Sequence, residues 1–263
     1  MLISWVNGIR TGIARVSASR IASQSMVVAL LILGWEFVAR SMQSPLLPPL
    51  TEILTAWVEL VFNVGFQRDL GISLGTVAAG FFIALILGIL FGITMARYQP
   101  IEKLLDPYMN ALMTSPITAL VPIIMLIFGS QLGARIFIVF LFSFFVICIN
   151  TLTGVKNADR ALIEMVRSFG ANDRQITRIV ALPGALPMIL QGVRLAIARA
   201  VGGVLVAELM MALSGLGYQL STYGAAFMTN YVYAILGTIT FVAWLLSEAV
   251  RLVEQKLTYC GRA

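Results

Sequence analysis

Long apolar runs separated by short polar connections set the rhythm of this chain. Six runs, at roughly 21–39, 72–96, 108–129, 134–154, 189–212 and 231–250, approach the ~20 residues that a helix needs to cross a hydrocarbon core. Backbone N–H and C=O groups in lipid must be paired within their own segment, so runs of this length predict helices rather than strands. The pattern therefore predicts an all-α membrane protein with about six transmembrane helices. Between the first two runs, the Ser-Pro-Leu-Leu-Pro-Pro-Leu stretch at 44–50 excludes a helix, because its prolines remove donors and bias their neighbours to extended geometry. Thr51 is then a predicted N-cap, with Glu52 in the first turn of an amphipathic segment over 52–63 at the outer interface.

Charge changes the picture by giving it a direction. Thirteen of the 18 basic residues fall in segments that share a side with the N-terminus, among them Arg97, Lys103, Lys156, Arg160 and Arg167. Three, Arg40, Arg68 and Arg135, fall on the other side. The positive-inside rule places both termini of this multi-pass protein in the cytoplasm. The net charge of +6 belongs to these connections, so it reads as topology and contact with the lipid bilayer, not as a nucleic-acid surface. Composition agrees: 59% of residues are hydrophobic and 11% charged, about half the usual share of charge. The organisation expected is a cytoplasmic segment over 1–20 followed by one transmembrane domain over 21–263.

Candidate chemistry is sparse. The chain has no histidine, and Cys148 and Cys260 read as inert thiols, so no catalytic group, metal site or cofactor is expected. The second run carries small residues at four-residue spacing, Thr76, Gly80, Ala84, Gly88, Gly92 and Ala96, which predicts a close helix–helix contact inside the chain or across a dimer. The third run holds Pro116 and Pro122 beside Thr114, Ser115 and Thr118. A broken polar helix is tolerated where it is buried in protein or lines a cavity, so Thr114, Ser115, Pro116 and Thr118 are expected along a translocation path, with a purely structural kink as the alternative. Glu36 and Glu208 lie within apolar runs, where an ionisable group costs a few kcal/mol and faces the bundle interior. Glu208 is counted with the path.

The connection at 155–187 is a structured loop. Leu162, Met165, Val166 and Phe169 have helical spacing, with Arg160 and Glu164 four apart. Gly170 suits a left-handed position that ends this helix, and Asn172 suits the cap of a second one, about 172–181, which Pro183 and Pro187 are expected to end. The sequence Glu164-Met165-Val166-Arg167-Ser168-Phe169-Gly170, followed after nine residues by Val180-Ala181-Leu182-Pro183, resembles the EAA signature of ABC importer membrane subunits. The Glu-to-Gly spacing, the gap and the Leu-Pro match, whereas Met165-Val166 replaces two alanines. Further similarity to the nitrate/sulfonate/taurine branch lies in Pro48-Pro49-Leu50-Thr51-Glu52-Ile53-Leu54, in the segment from Ser73 to Phe81, and in Ala207-Glu208 with Gly215-Leu216-Gly217.

The resemblance implies a type I importer permease fold with a cytoplasmic coupling helix, located in a bacterial inner membrane. It implies as partners two copies of an ABC ATPase subunit, a second copy of this permease and an extracytoplasmic solute-binding protein. The coupling contacts it implies are Arg160, Glu164, Arg167, Ser168, Phe169, Gly170, Ala171, Asn172, Asp173 and Arg174. ATP hydrolysis would then belong to a partner, and the chain contains no phosphate-loop motif of its own. A secondary transporter or channel would share the topology but leave the loop without a purpose. A membrane-embedded enzyme would need convergent reactive groups.

Overall fold

In a computed structural model that describes residues 25–211 and 214–259, every regular element is helical and no strand occurs among the described residues. The N-terminal segment 1–20, Cys260 and Arg262 lie outside the described residues. In chain order the helices are α1 (Ser25–Met42), α2 (Leu50–Phe62), α3 (Val64–Arg97) and α4 (Gln99–Thr114). After a 3-10 turn at Ile117–Leu120 come α5 (Val121–Phe128), α6 (Leu132–Lys156), α7 (Arg160–Ser168) and α8 (Asp173–Ile176). A π-turn at Thr177–Ala181 leads into α9 (Leu182–Met211), followed by α10 (Leu216–Ala225) and α11 (Thr229–Tyr259). Among the described residues five helices are long and apolar enough to cross a membrane, and a sixth crossing exists if the bent pair Gln99–Thr114 and Ile117–Phe128 is counted as one.

The break read in the third run is observed: the pair bends by 93° at Ser115-Pro116. The second proline pair departs from the sequence reading. Pro183 and Pro187 do not end the helix before the fifth run, since Asp173–Met211 is continuous over 39 residues. The π-turn explains the first proline. Its wider bonding pattern, seen where Leu182 N–H reaches Thr177 O, shifts the donors just where Pro183 has none to give.

Two compact units make up the chain, Met1–Leu60 with Tyr223–Ala234, and Val61–Thr222 with Ile235–Ala263. In the second, α6 packs along both α3 and α9. The small-residue stripe of α3 faces α6. A Cβ at Gly80, Gly88 or Gly92 would come within 2.7 Å of Val139, 2.9 Å of Ile147 or 2.6 Å of Thr151. Thr76, Gly80, Ala84, Gly88 and Gly92 are buried, while the large side chains Phe82, Ile86 and Leu90 on the same helix are exposed. Lipid offers no hydrophobic drive between helices, so small residues inside and large ones outside is the arrangement that gains most from backbone approach. The stripe is thus consumed within the chain. Cys148 is fully buried among Met95, Met109, Phe145 and Leu152 and acts as packing.

In the first unit, Glu36 of α1 caps α2. Its Oε2 accepts from Leu50 N (2.8 Å) and Thr51 N (3.4 Å), its Oε1 from Thr51 Oγ1 (3.0 Å), and Arg40 Nε donates to it at 2.8 Å. An anion at a helix N-terminus meets free N–H groups and the positive end of the dipole. Thr51 is therefore not the cap: the helix opens one residue earlier, and its hydroxyl serves Glu36 instead. Trp35 Nε1 donates to Pro48 O at 3.1 Å and meets Tyr233 edge-on at 5.8 Å.

Candidate functional site

The loop begins where α6 ends. Asp159 caps α7, accepting from Ala161 N at 2.8 Å. The end of α7 is a Schellman motif: Gly170 N donates to Arg167 O (2.9 Å), Ala171 N donates to Val166 O (3.2 Å), and Gly170 takes φ +85°. The predicted cap at Asn172 forms a full capping box. Asn172 Oδ1 accepts from Gln175 N at 3.0 Å, and Gln175 Oε1 accepts from Asn172 N at 2.9 Å. Two rigid corners thus hold a helix–turn–helix at the start of the 39-residue helix.

Its surface is open. Arg160, Glu164, Arg167, Ser168, Phe169, Gly170, Asn172, Asp173 and Arg174 are exposed, and Ala171 is half-buried. Leu162, Met165 and Phe169, at 46%, 50% and 82% exposure, form an apolar ridge along α7. Arg167 pairs with Asp173 across the turn at 3.4 Å. Arg160 and Glu164, four apart on α7, form no ion pair with each other among the described residues.

The hydroxyls of the bent pair bond to the backbone of their own turn. Thr114 Oγ1 donates to Asn110 O (2.9 Å) and Ser115 Oγ to Ala111 O (2.8 Å), the second beside the Ser115 N bond to the same carbonyl (3.0 Å). Thr114, Ser115, Pro116 and Thr118 are all exposed. Glu208 differs from them in burial, at 1% exposure. Ser73 Oγ donates to its carboxylate at 2.8 Å and Gly217 N donates at 3.0 Å. Ser73 Oγ accepts from Leu216 N at 2.9 Å, and Asp69 Oδ1 accepts from Gly215 N at 3.0 Å. The oxygens of Glu208 thus meet Ser73 and the turn that opens α10. Asp69 was not singled out from sequence. Ser73 and Gly215-Leu216-Gly217 were, as separate short matches, and the fold brings them together on Glu208.

The family described as binding-protein-dependent transport system inner membrane component matches residues 84–259, about two thirds of the chain. The chain belongs to this family. The permease is 30% identical to the taurine transport system permease protein TauC of Escherichia coli (strain K12), over 88% of this chain and 86% of that protein. It is 33% identical to the putative aliphatic sulfonates transport permease protein SsuC of Bacillus subtilis (strain 168), covering 88% and 85%. The formylaminopyrimidine transport permease protein ThiX of Halalkalibacterium halodurans is 32% identical, covering 81% and 88%. Among solved structures, an inward facing conformation of the MetNI methionine ABC transporter superposes with TM-score 0.64 at 19% identity, covering 73% of this chain and 95% of that one. An amino acid ABC transporter with histidines gives 0.62 at 18%, covering 77% and 96%. The fold is that of a type I importer permease, and the chain is a multi-pass translocation subunit of the sulfonate/taurine-like branch.

Proposed function

We propose that this permease carries a small anionic organic solute, of the sulfonate type, inward across a bacterial inner membrane. An extracytoplasmic binding protein delivers the solute, and two copies of a separate ATPase, docked on the 158–183 loop of two permease copies, drive the cycle. Both termini lie in the cytoplasm, and residues 21–263 act as one permease domain. The observation that carries this reading is the loop itself. It is fixed by a Schellman turn and a capping box, yet it exposes Phe169 at 82% beside Met165 and Leu162. A rigid apolar ridge at the end of a membrane-spanning helix suits a docking partner that pushes on it. Nucleotide must then bind one state of the assembly much better than the other.

The solute route runs past Thr114, Ser115, Pro116 and Thr118. A broken, hydroxyl-bearing span is costly against hydrocarbon and is satisfied when two copies enclose it. The second copy meets this face, because the glycine stripe of α3 is already covered by α6. The test is ATP hydrolysis by the reconstituted complex. Glu164→Arg and Gly170→Trp are expected to abolish stimulated hydrolysis and transport with near-normal membrane insertion. Gly170→Trp acts through backbone strain, since φ is +85° there and no atom of this chain crowds the position. Wild-type stimulation in both variants would remove the loop from the coupling.

A further inference from the structure

We infer that Asp69, Ser73 and Glu208 are positioning residues for solute passage, which tie α10 to α3 and α9 together and make it move with their sliding. This rests on the transport reading above. A helix usually receives its N-terminal cap from a residue just before it. At α10 three consecutive N–H groups are taken by distant side chains: Gly215 by Asp69, Leu216 by Ser73 and Gly217 by Glu208, at 3.0, 2.9 and 3.0 Å. The local hydroxyl, Ser214 Oγ, is engaged elsewhere, accepting from Arg135 Nη1 at 3.0 Å. Asp69 and Ser73 stand one turn apart on α3, and Glu208 stands on α9. No shift of α3 against α9 can therefore leave all three caps in place.

Close approach makes the tie stiff. A Cβ at Gly215, which has φ +98°, would lie 2.2 Å from Glu208 Cδ, and one at Gly217 would lie 2.6 Å from Glu208 Cβ. Beyond this anchor α10 presents Tyr218, Ser221 and Thr222, all exposed and spaced to share one face. The turn sits at the end of the 39-residue helix opposite the 158–183 loop. Events at the loop are thereby felt by α10 at the far side, where a solute enters.

The experiment uses single cysteines, Ser221→Cys or Thr222→Cys, in the reconstituted complex with Cys260→Ser, labelled by a small charged thiosulfonate with and without trapped ATP. In the parent chain the labelling rate is expected to change about tenfold between the two states, within the usual range of coupling between sites. Ser73→Ala and Asp69→Ala are expected to flatten that difference and to cut transport roughly tenfold while basal hydrolysis persists. Asp69→Asn, which keeps an acceptor for Gly215 N, should restore both. Should Glu208→Ala fail to assemble, the two milder variants carry the test. If they lower yield alone and leave the nucleotide response intact, the three residues are structural only and the inference falls. If the parent shows normal stimulated hydrolysis but no nucleotide response at α10, the inference falls while the transport reading stands. Absence of stimulated hydrolysis in the parent would instead count against the transport reading.

Discussion

The seam between α3 and α6 and the loop formed by α7 and α8 obey opposite rules. In the seam, small residues face inward, a missing Cβ at Gly92 lets Thr151 approach, and every contact is completed inside one chain. In the loop, the largest side chain, Phe169, points outward, and the bonds that fix the shape are local ones between residues two to six apart. The seam is a finished interface in lipid. The loop is a finished shape that leaves its apolar side chains exposed, which the proposed docking would cover. Mutations should accordingly separate: those in the seam remove the protein, and those in the loop leave the protein and remove its coupling.

The largest effect is expected at the seam. Gly92→Leu forces a side chain into space held by Thr151, and overpacking of this kind costs about 1–3 kcal/mol or more. Recovery of folded permease after detergent extraction should collapse, whereas Gly71→Leu, where no neighbour lies within 4 Å, should extract like the parent. Equal yields from the two would break the comparison. Next in size, Phe169→Ser with Leu162→Ser should abolish stimulation of the ATPase and leave the melting temperature of the permease unchanged. Each removed apolar contact is worth about 2 kcal/mol when buried by a partner. Asn172→Ala loses one cap of the capping box, a cost of about 1 kcal/mol, and should lower stimulation partially by loosening α8. The smallest effect is expected for Thr151→Val. The Thr151 hydroxyl is buried without a hydrogen-bond partner, so removing it should leave the melting temperature equal or slightly raised, by less than about 1 kcal/mol in stability.

Local signals were legible in the sequence. Gly170 at positive φ, Asn172 as a cap and the break at Ser115-Pro116 depend on neighbours within a turn, and each stands where its residue type suggests. The glycine stripe announced a close contact but not its partner, because Val139, Ile147 and Thr151 carry no mark that distinguishes them from other residues of α6. Glu36 and Glu208 were conspicuous as charges in apolar runs, yet their work was hidden. Each caps a helix that lies elsewhere in the chain, α2 and α10, and a non-local cap leaves no spacing to read. The prolines misled for a related reason. Pro183 ends an ordinary helix, but a π-turn one residue upstream removes the conflict, and its presence is decided by packing rather than by local propensity.

The continuity of Asp173–Met211 has a mechanical consequence. At about 1.5 Å per residue its 39 residues form a beam roughly 58 Å long, nearly twice the hydrocarbon thickness. A flexible joint between loop and membrane would let the loop swing without effect; a beam is a lever. Its fulcrum is α6, where Gly192 and Gly203 allow Asn150 and Phe142 to approach so closely that a Cβ would sit 2.5 and 3.0 Å away. A tilt of roughly 10° about such a support would displace the two ends relative to each other by about 10 Å. On the proposed coupling, the same two glycines that let the helices touch would also set the mechanical advantage with which a push at the loop reaches the other end of the helix.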